Sequence, residues 1–328
     1  MVSKRNIGRH KINPIGLGCM SLSAAYGADP SEAQAERLLH HALDIGYDFL
    51  DTAAIYGEGV SETRIGRVLK DRRGDYVLAS KCGFRPGTRT PDGSPATIAQ
   101  TLELSLQRLG VDHIDLYYLH RPDPQVPIED SVGALARAVE AGKIGLIGLS
   151  EVSAEQLRRA HRVHPIAALQ TEYSLWTRNP EIAGLDACRE LGTTFVAFSP
   201  VGRGFLTGDF GPGTMLANDD FRTAMPRFQE PHYSHNLALL DGYRAIAAEA
   251  GCTPAQLALA WLLHRDADLV TIPGTKSIAH AEENIGANGV TLSDAQMAAL
   301  DALINERTVA GSRYNAAMQS TVTTEDFA

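Results

Sequence analysis

Short apolar runs alternate along the chain with stretches whose apolar residues recur at helical spacing, and eight such pairs can be counted. The runs are Ile15–Gly18, Tyr47–Leu50, Val77–Ser80, Ile114–Leu119, Ile144–Leu149, Ala167–Gln170, Thr194–Phe198 and Leu269–Ile272. Strand then helix, repeated, predicts parallel βα units rather than separate β and α domains. Between the runs, Ala35, Leu38, Leu39, Ala42 and Leu43 make one stripe behind the N-cap candidate Ser31, with Gly46 as the stop. Pro95 opens a helix through Leu102, Leu106 and Leu109 that Gly110 closes, and Thr253-Pro254 starts another carrying Leu257, Leu259, Trp261 and Leu262. Two segments break the rhythm: a Gly-, Asp-, Pro- and Phe-rich insertion over 202–235, expected to act as a lid, and a tail after Asn305. No long internal repeat or linker stands out, so one domain over 1–328 is expected.

Composition narrows the class. The chain has 328 residues, 44% apolar and 21% charged, as expected for a globular protein large enough for one barrel. A net charge of −9 argues against nucleic-acid or anionic-membrane partners, which need a clustered basic surface. The start of the chain lacks an apolar signal core and no apolar run reaches about 18 residues, so a cytoplasmic location is expected. Cys19, Cys82, Cys188 and Cys252 are widely separated and are expected as reduced thiols, with no metal-ligand spacing.

Candidate chemistry lies where the runs end. Asp51 and Tyr56 follow the second, Lys81 ends the third and His120 ends the fourth. These polar residues share one mouth only if successive strands are parallel neighbours, as in a closed parallel barrel. A phenol has a pKa of about 10, and a cation about 4 Å away at an effective dielectric near 20 would lower it by roughly three units. Tyr47, Tyr117 and Tyr118 lie within apolar runs and are read as core. Glu58 and Glu62 fit a helix start favoured by the dipole.

The order and spacing of these four residues resemble the aldo-keto reductases. Gly16-Leu17-Gly18, Asp51-Thr52-Ala53, Tyr56-Gly57, Ser199-Pro200 and Ile272-Pro273-Gly274-Thr275-Lys276 extend the likeness over nearly the whole chain. The resemblance implies an α/β fold: a (β/α)8 TIM barrel with an N-terminal β-hairpin, a long loop after strand 7 and a C-terminal tail over the substrate pocket. It also implies NADPH-dependent, reversible reduction of an aldehyde or ketone. Tyr56 would give the proton, Lys81 and Asp51 would tune it, and His120 would orient the carbonyl.

Gly16-Leu17-Gly18-Cys19-Met20-Ser21 breaks the dinucleotide fingerprint at its last position, so a Rossmann site is excluded here. The phosphates are instead expected on Ser199, Pro200, Val201, Gly202, Arg203 and Gly204, with Arg203 as a clamp, and on Lys276 near a helix start. The resemblance adds Gly18, Cys19, Met20 and Asp51 to the cofactor contacts. By the same likeness, Ser150 and Gln170 would hold the nicotinamide carboxamide, Phe198 would stack on its ring, and Glu283 and Asn284 would meet the adenine. Thr275, Lys276 and Ser277 match the 2′-phosphate site, so NADPH is expected ahead of NADH. Ser277 and His280 stand where several relatives carry arginine, which weakens that discrimination.

Tyr26, Phe84, Trp176, Tyr56 and His120 are the expected substrate-pocket residues. A nicotinamide-binding regulatory subunit of a channel-like assembly is the alternative implied by the same resemblance. A metal-dependent barrel hydrolase would need strand-end ligand clusters that the eleven His residues do not form.

Overall fold

The computed structural model describes residues 3–23, 26–214, 216–217 and 220–327. A two-stranded antiparallel hairpin, β1 (Arg5–Ile7) and β2 (His10–Ile12), precedes eight parallel strands. These are β3 (Leu17–Gly18), β4 (Phe49–Asp51), β5 (Val77–Cys82), β6 (Ile114–Leu119), β7 (Ile144–Ser150), β8 (Ile166–Glu172), β9 (Thr194–Phe198) and β10 (Leu269–Thr271). They pair in sequence order, and parallel bridges from Ile15 to Thr271 and from Gly18 to Gly274 join the first to the last. The result is the expected (β/α)8 barrel. The first run was expected over Ile15–Gly18 but pairs as a strand only from Leu17, because Ile15 bridges to Thr271 instead. A Cβ on Gly18 would lie 2.7 Å from the carbonyl oxygen of Ile272, so closure at this seam requires glycine.

Strand parity sorts the side chains. Phe49, Ala79, Leu116, Tyr118, Ala168, Val196 and Val270 form the barrel interior, and Ile7 and Ile12 of the hairpin pack into the same cluster and plug one end. Leu50, Leu78, Tyr117, Leu119, Leu169 and Phe195, one residue out of phase, pack in the other main cluster with the helices. Full burial of such a side chain is worth about 1.5–3 kcal/mol, so parity is strongly enforced.

The helices begin where their caps require. Ser31 and Gln34 form a capping box on α1 (Glu32–Asp44). After α2 (Val60–Val68), α3 (Pro95–Leu109) starts behind Ser94 and ends at Gly110 with φ +64. Then come α4 (Ile128–Glu140), α5 (Ala154–Val163), α6 (Gly184–Leu191), α7 (His232–Leu237) and α8 (Leu239–Glu249). Thr253 and Gln256 box the start of α9 (Pro254–Arg265), whose Leu257, Leu259, Trp261 and Leu262 are all buried. The last helices are α10 (Ile278–Gly286), α11 (Asp294–Leu303) and α12 (Ala316–Gln319). Among the described residues, no single helix is long and apolar enough to cross a membrane.

Candidate active site

Asp51, Lys81, Tyr118 and His120 project into the barrel because they keep the parity of Phe49, Ala79 and Leu116. Lys81 is 1% exposed and donates to the Asp51 carboxylate, to the Thr52 carbonyl at 2.8 Å and to the Tyr56 hydroxyl at 3.3 Å. Tyr56 sits just past β4 in a short helical turn followed by Gly57, Glu58 and Gly59, all at positive φ. The rings of Tyr56 and Phe84 meet the His120 ring edge-on, with centroids 5.7 Å and 5.2 Å away.

Burial decides the protonation states. It works against the Lys81 charge, but Asp51 and Tyr56 outweigh it and hold the ammonium above the ordinary lysine value. Burial pushes the Tyr56 phenol above its ordinary value, with Lys81 pulling it back only in part. The expected fall of this phenol toward neutrality is therefore not met: desolvation of the phenolate exceeds the attraction of Lys81, and Asp51 opposes it too. Burial, then Arg121 and Lys81, push His120 well below the ordinary imidazole value, leaving a neutral ring. A protonated phenol, a fixed ammonium and a neutral imidazole can together give a proton to, and hydrogen-bond, an oxygen between them.

On the far wall, Gln170 donates its amide to Asp51 at 2.7 Å, joining the carboxamide candidates to the Asp51–Lys81 pair. Ser150 is its partner in register, and its hydroxyl accepts from Arg121 at 3.4 Å. Phe198 ends β9 half-buried at the mouth, packed on the interior cluster. Cys19 is buried and its thiol is pushed up by burial, while its backbone amide donates to the Asp51 carbonyl. Met20 begins the short turn Met20–Leu22 beside it.

The loop after β9 is tightly wound: Ser199, Gly202, Arg203 and Gly204 all have positive φ. The Gly202 and Gly204 amides donate within the turn, to Ser199 and Val201, rather than standing open for phosphate. Arg203 faces Glu172, 2.6 Å away, and the Tyr314 hydroxyl, 3.1 Å away. The expected phosphate clamp is thus engaged by a carboxylate that ends β8. Lys276 donates to the carbonyls of Tyr26 and Ala28. Thr275 accepts from the Ser277 amide, and Ser277 caps α10 by accepting from His280. Glu283 and Asn284 lie on the same helix, half-buried and buried.

The pocket candidates divide. Phe84 joins Tyr56 and His120. Tyr26 packs on Phe221 at 4.9 Å with Arg222 over its ring. Trp176 is buried and stacked on Phe205 at 4.1 Å, in an aromatic group with Phe228. Tyr118, read as core, is fully buried in the barrel interior as expected, and it also faces Lys81, whose ammonium lies 5.8 Å from its ring centroid, while its hydroxyl has no hydrogen-bond partner among the described residues. Two carboxylates of this mouth were not expected. Glu151 is fully buried and bound by Arg313 of the tail at 2.5 Å. Glu172 is the second. Glu62, expected only to serve the helix dipole, is instead buried, accepting from Ser80 at 2.6 Å and facing Arg108 at 3.3 Å.

The model of the aldo/keto reductase family matches residues 14–305. The chain belongs to the aldo/keto reductase family. It is 44% identical, over 95% of its length and 94% of the relative's, to aldo-keto reductase yakc of Schizosaccharomyces pombe, whose name specifies NADP(+). Among solved structures, a glycerol dehydrogenase from Gluconobacter oxydans matches with TM-score 0.84 at 28% identity, covering 92% of this chain and 94% of that one. An aldo-keto reductase from Klebsiella pneumoniae in complex with NADPH matches with TM-score 0.75 at 25% identity, over 96% and 99% of the two chains. Membership makes this chain an oxidoreductase of a family that acts on small carbonyl compounds.

Proposed function

We propose that the protein reduces an aldehyde or ketone to the alcohol, reversibly, using NADPH. The observation that carries this reading is the convergence of Tyr56, Lys81, Asp51 and His120 at one end of the barrel. Tyr56 is the proton donor, kept protonated by burial. Lys81 stabilises the phenolate left behind, and Asp51, steadied by Gln170, holds Lys81 in place. His120, neutral, donates a hydrogen bond to the carbonyl oxygen.

The donor set fits a nicotinamide cofactor. Ser150 and Gln170 offer a hydroxyl and an amide side by side, Phe198 offers a ring at the mouth, and Thr275, Lys276 and Ser277 stand at the start of α10. When bound, NADPH supplies the hydride. Lys276 and the α10 N-terminus favour a 2′-phosphate over a bare ribose, with NADH the weaker partner. Arg203 would have to leave Glu172, or share it, to reach a phosphate. Glycerol dehydrogenase and NADP(+) in the relatives' names accord with a polyol-and-carbonyl chemistry on this cofactor. We read the chain as one cytoplasmic domain without nucleic-acid or membrane partners.

The test is consumption of NADPH with a panel of aldehydes, ketones and quinones, repeated with Tyr56→Phe. Turnover that collapses in the variant supports the reading. NADPH binding with no carbonyl turned over would favour the regulatory-subunit alternative.

A further inference from the structure

Beyond Gln170 on the inward face of β8 stands Glu172, two residues and therefore about 7 Å further toward the mouth. It borders a cavity of about 10 Å³ together with Arg203, Arg227, Arg313 and Trp176, while Met225 and Phe228 form its apolar side. That space admits one oxygen-sized group.

The polar lining is unbalanced. Arg203 pairs with Glu172 and Arg313 with Glu151, both carboxylates being buried. Arg227 has no carboxylate partner among the described residues: it donates to the carbonyls of Trp176 and Gly311 and to the Thr177 hydroxyl. Of the three guanidiniums, Arg227 alone lacks a hydrogen-bonded carboxylate among the described residues, with Glu172 and Asp326 acting on it only from further off. The indole N–H of Trp176, a residue only 4% exposed, has no acceptor among the described residues. What is missing here is an anionic acceptor in direct contact with Arg227 and any acceptor for the Trp176 indole, and guanidiniums brought together in a low-dielectric site favour a bound anion. Burial pushes the Arg227 guanidinium down to about 10; Glu172 opposes this, Arg313 and Arg203 add to it, and Asp326 opposes it.

We propose that this cavity is an anion subsite, and that the carbonyl substrate carries a carboxylate or similar anionic group whose oxygen enters it, an inference that rests on the reductase reading above. Arg227 and the Trp176 indole are its donors. Arg313 makes the C-terminal tail part of the subsite, so the tail helps select substrate.

The test compares kcat/KM for 4-carboxybenzaldehyde and benzaldehyde at saturating NADPH in the wild type, Arg227→Met and Arg227→Lys. The wild type should favour the carboxylate by at least about tenfold, as one charge-assisted hydrogen bond would give. Arg227→Met should lose that ratio and Arg227→Lys should keep part of it. Equal kcat/KM values in the wild type, or a preference that Arg227→Met retains, would overturn the proposal. So would a loss of NADPH affinity in Arg227→Met that matches the rate loss, because the anion would then belong to the cofactor.

Binding of benzoate to the wild type, read by tryptophan emission and lost in Trp176→Phe, needs no turnover. No emission change would also overturn the proposal. A change in emission with neither aldehyde reduced would support the subsite while counting against the reductase reading itself.

Discussion

The Lys81 ammonium lies 3.3 Å from the Tyr56 hydroxyl and is bound at the same time to Asp51, so one buried lysine serves a carboxylate and a phenol together. Since burial keeps Tyr56 protonated, Lys81 acts mainly after the proton leaves, on the phenolate. Tyr56→Phe should therefore cut kcat by about 10²–10⁴-fold, the usual contribution of a positioned acid. NADPH affinity, followed by cofactor fluorescence, should be nearly unchanged. A variant with wild-type kcat would remove Tyr56 from the chemistry.

Lys81→Met leaves Asp51 buried with Gln170 as its remaining side-chain partner. Breaking a buried pair from one side costs about 3–5 kcal/mol, so unfolding in urea should shift to markedly lower concentration. Lys81→Met with Asp51→Asn should recover part of that stability without recovering turnover. Full recovery of turnover would contradict the role given to Lys81.

His120 supplies a pH signature. Its folded-state pKa lies well below the ordinary imidazole value, so between the two values the unfolded chain binds the extra proton and the folded chain does not. Stability must then fall as pH drops below about 6.5, the unfolded value, and level off below the folded one. Urea titrations at several pH values should show this slope in the wild type, and His120→Gln should reduce it by up to one proton. An unchanged slope would mean that the imidazole titrates normally.

The C-terminal tail is fastened at Glu151. Arg313 binds its carboxylate, and Thr323 donates its amide to its carbonyl at 3.0 Å. Arg313→Met leaves that carboxylate buried without its cation. The expected outcome is a loss of about 3–5 kcal/mol or release of the tail, seen as faster hydrogen exchange over 313–326 with a raised KM. Exchange and KM like the wild type would show that the tail is held elsewhere.

Lys276 should govern cofactor choice. Lys276→Met is expected to weaken NADPH binding by about tenfold or more and NADH far less, as loss of one charge-assisted contact would. Because Lys276 also holds the Tyr26 and Ala28 carbonyls, a smaller common loss for both cofactors should accompany it. Equal losses for the two would place the 2′-phosphate elsewhere.

Much of this was legible in the chain itself. The apolar runs marked every barrel strand, and Ser31, Gly110 and Thr253 marked helix ends, because local hydrogen bonding and backbone freedom decide those positions. Asp51, Tyr56, Lys81 and His120 were visible as polar residues where a strand stops. Less visible was anything set by long-range pairing. Nothing in the sequence pairs Glu151 with Arg313, 162 positions away, or Glu172 with Arg203; folding brings them together. At Tyr56 the attraction of Lys81 can be written from sequence, but the desolvation cost that exceeds it depends on burial and cannot.

The most direct test of the central claim is a single turnover of NADPH deuterated at the transferable C4 position with excess aldehyde, in wild type and in Tyr56→Phe. Deuterium is expected at the carbinol carbon of the alcohol in the wild type, with a transfer rate lower by at least about 10²-fold in the variant. Bound cofactor that never delivers deuterium, or transfer at equal rates in both proteins, would contradict it.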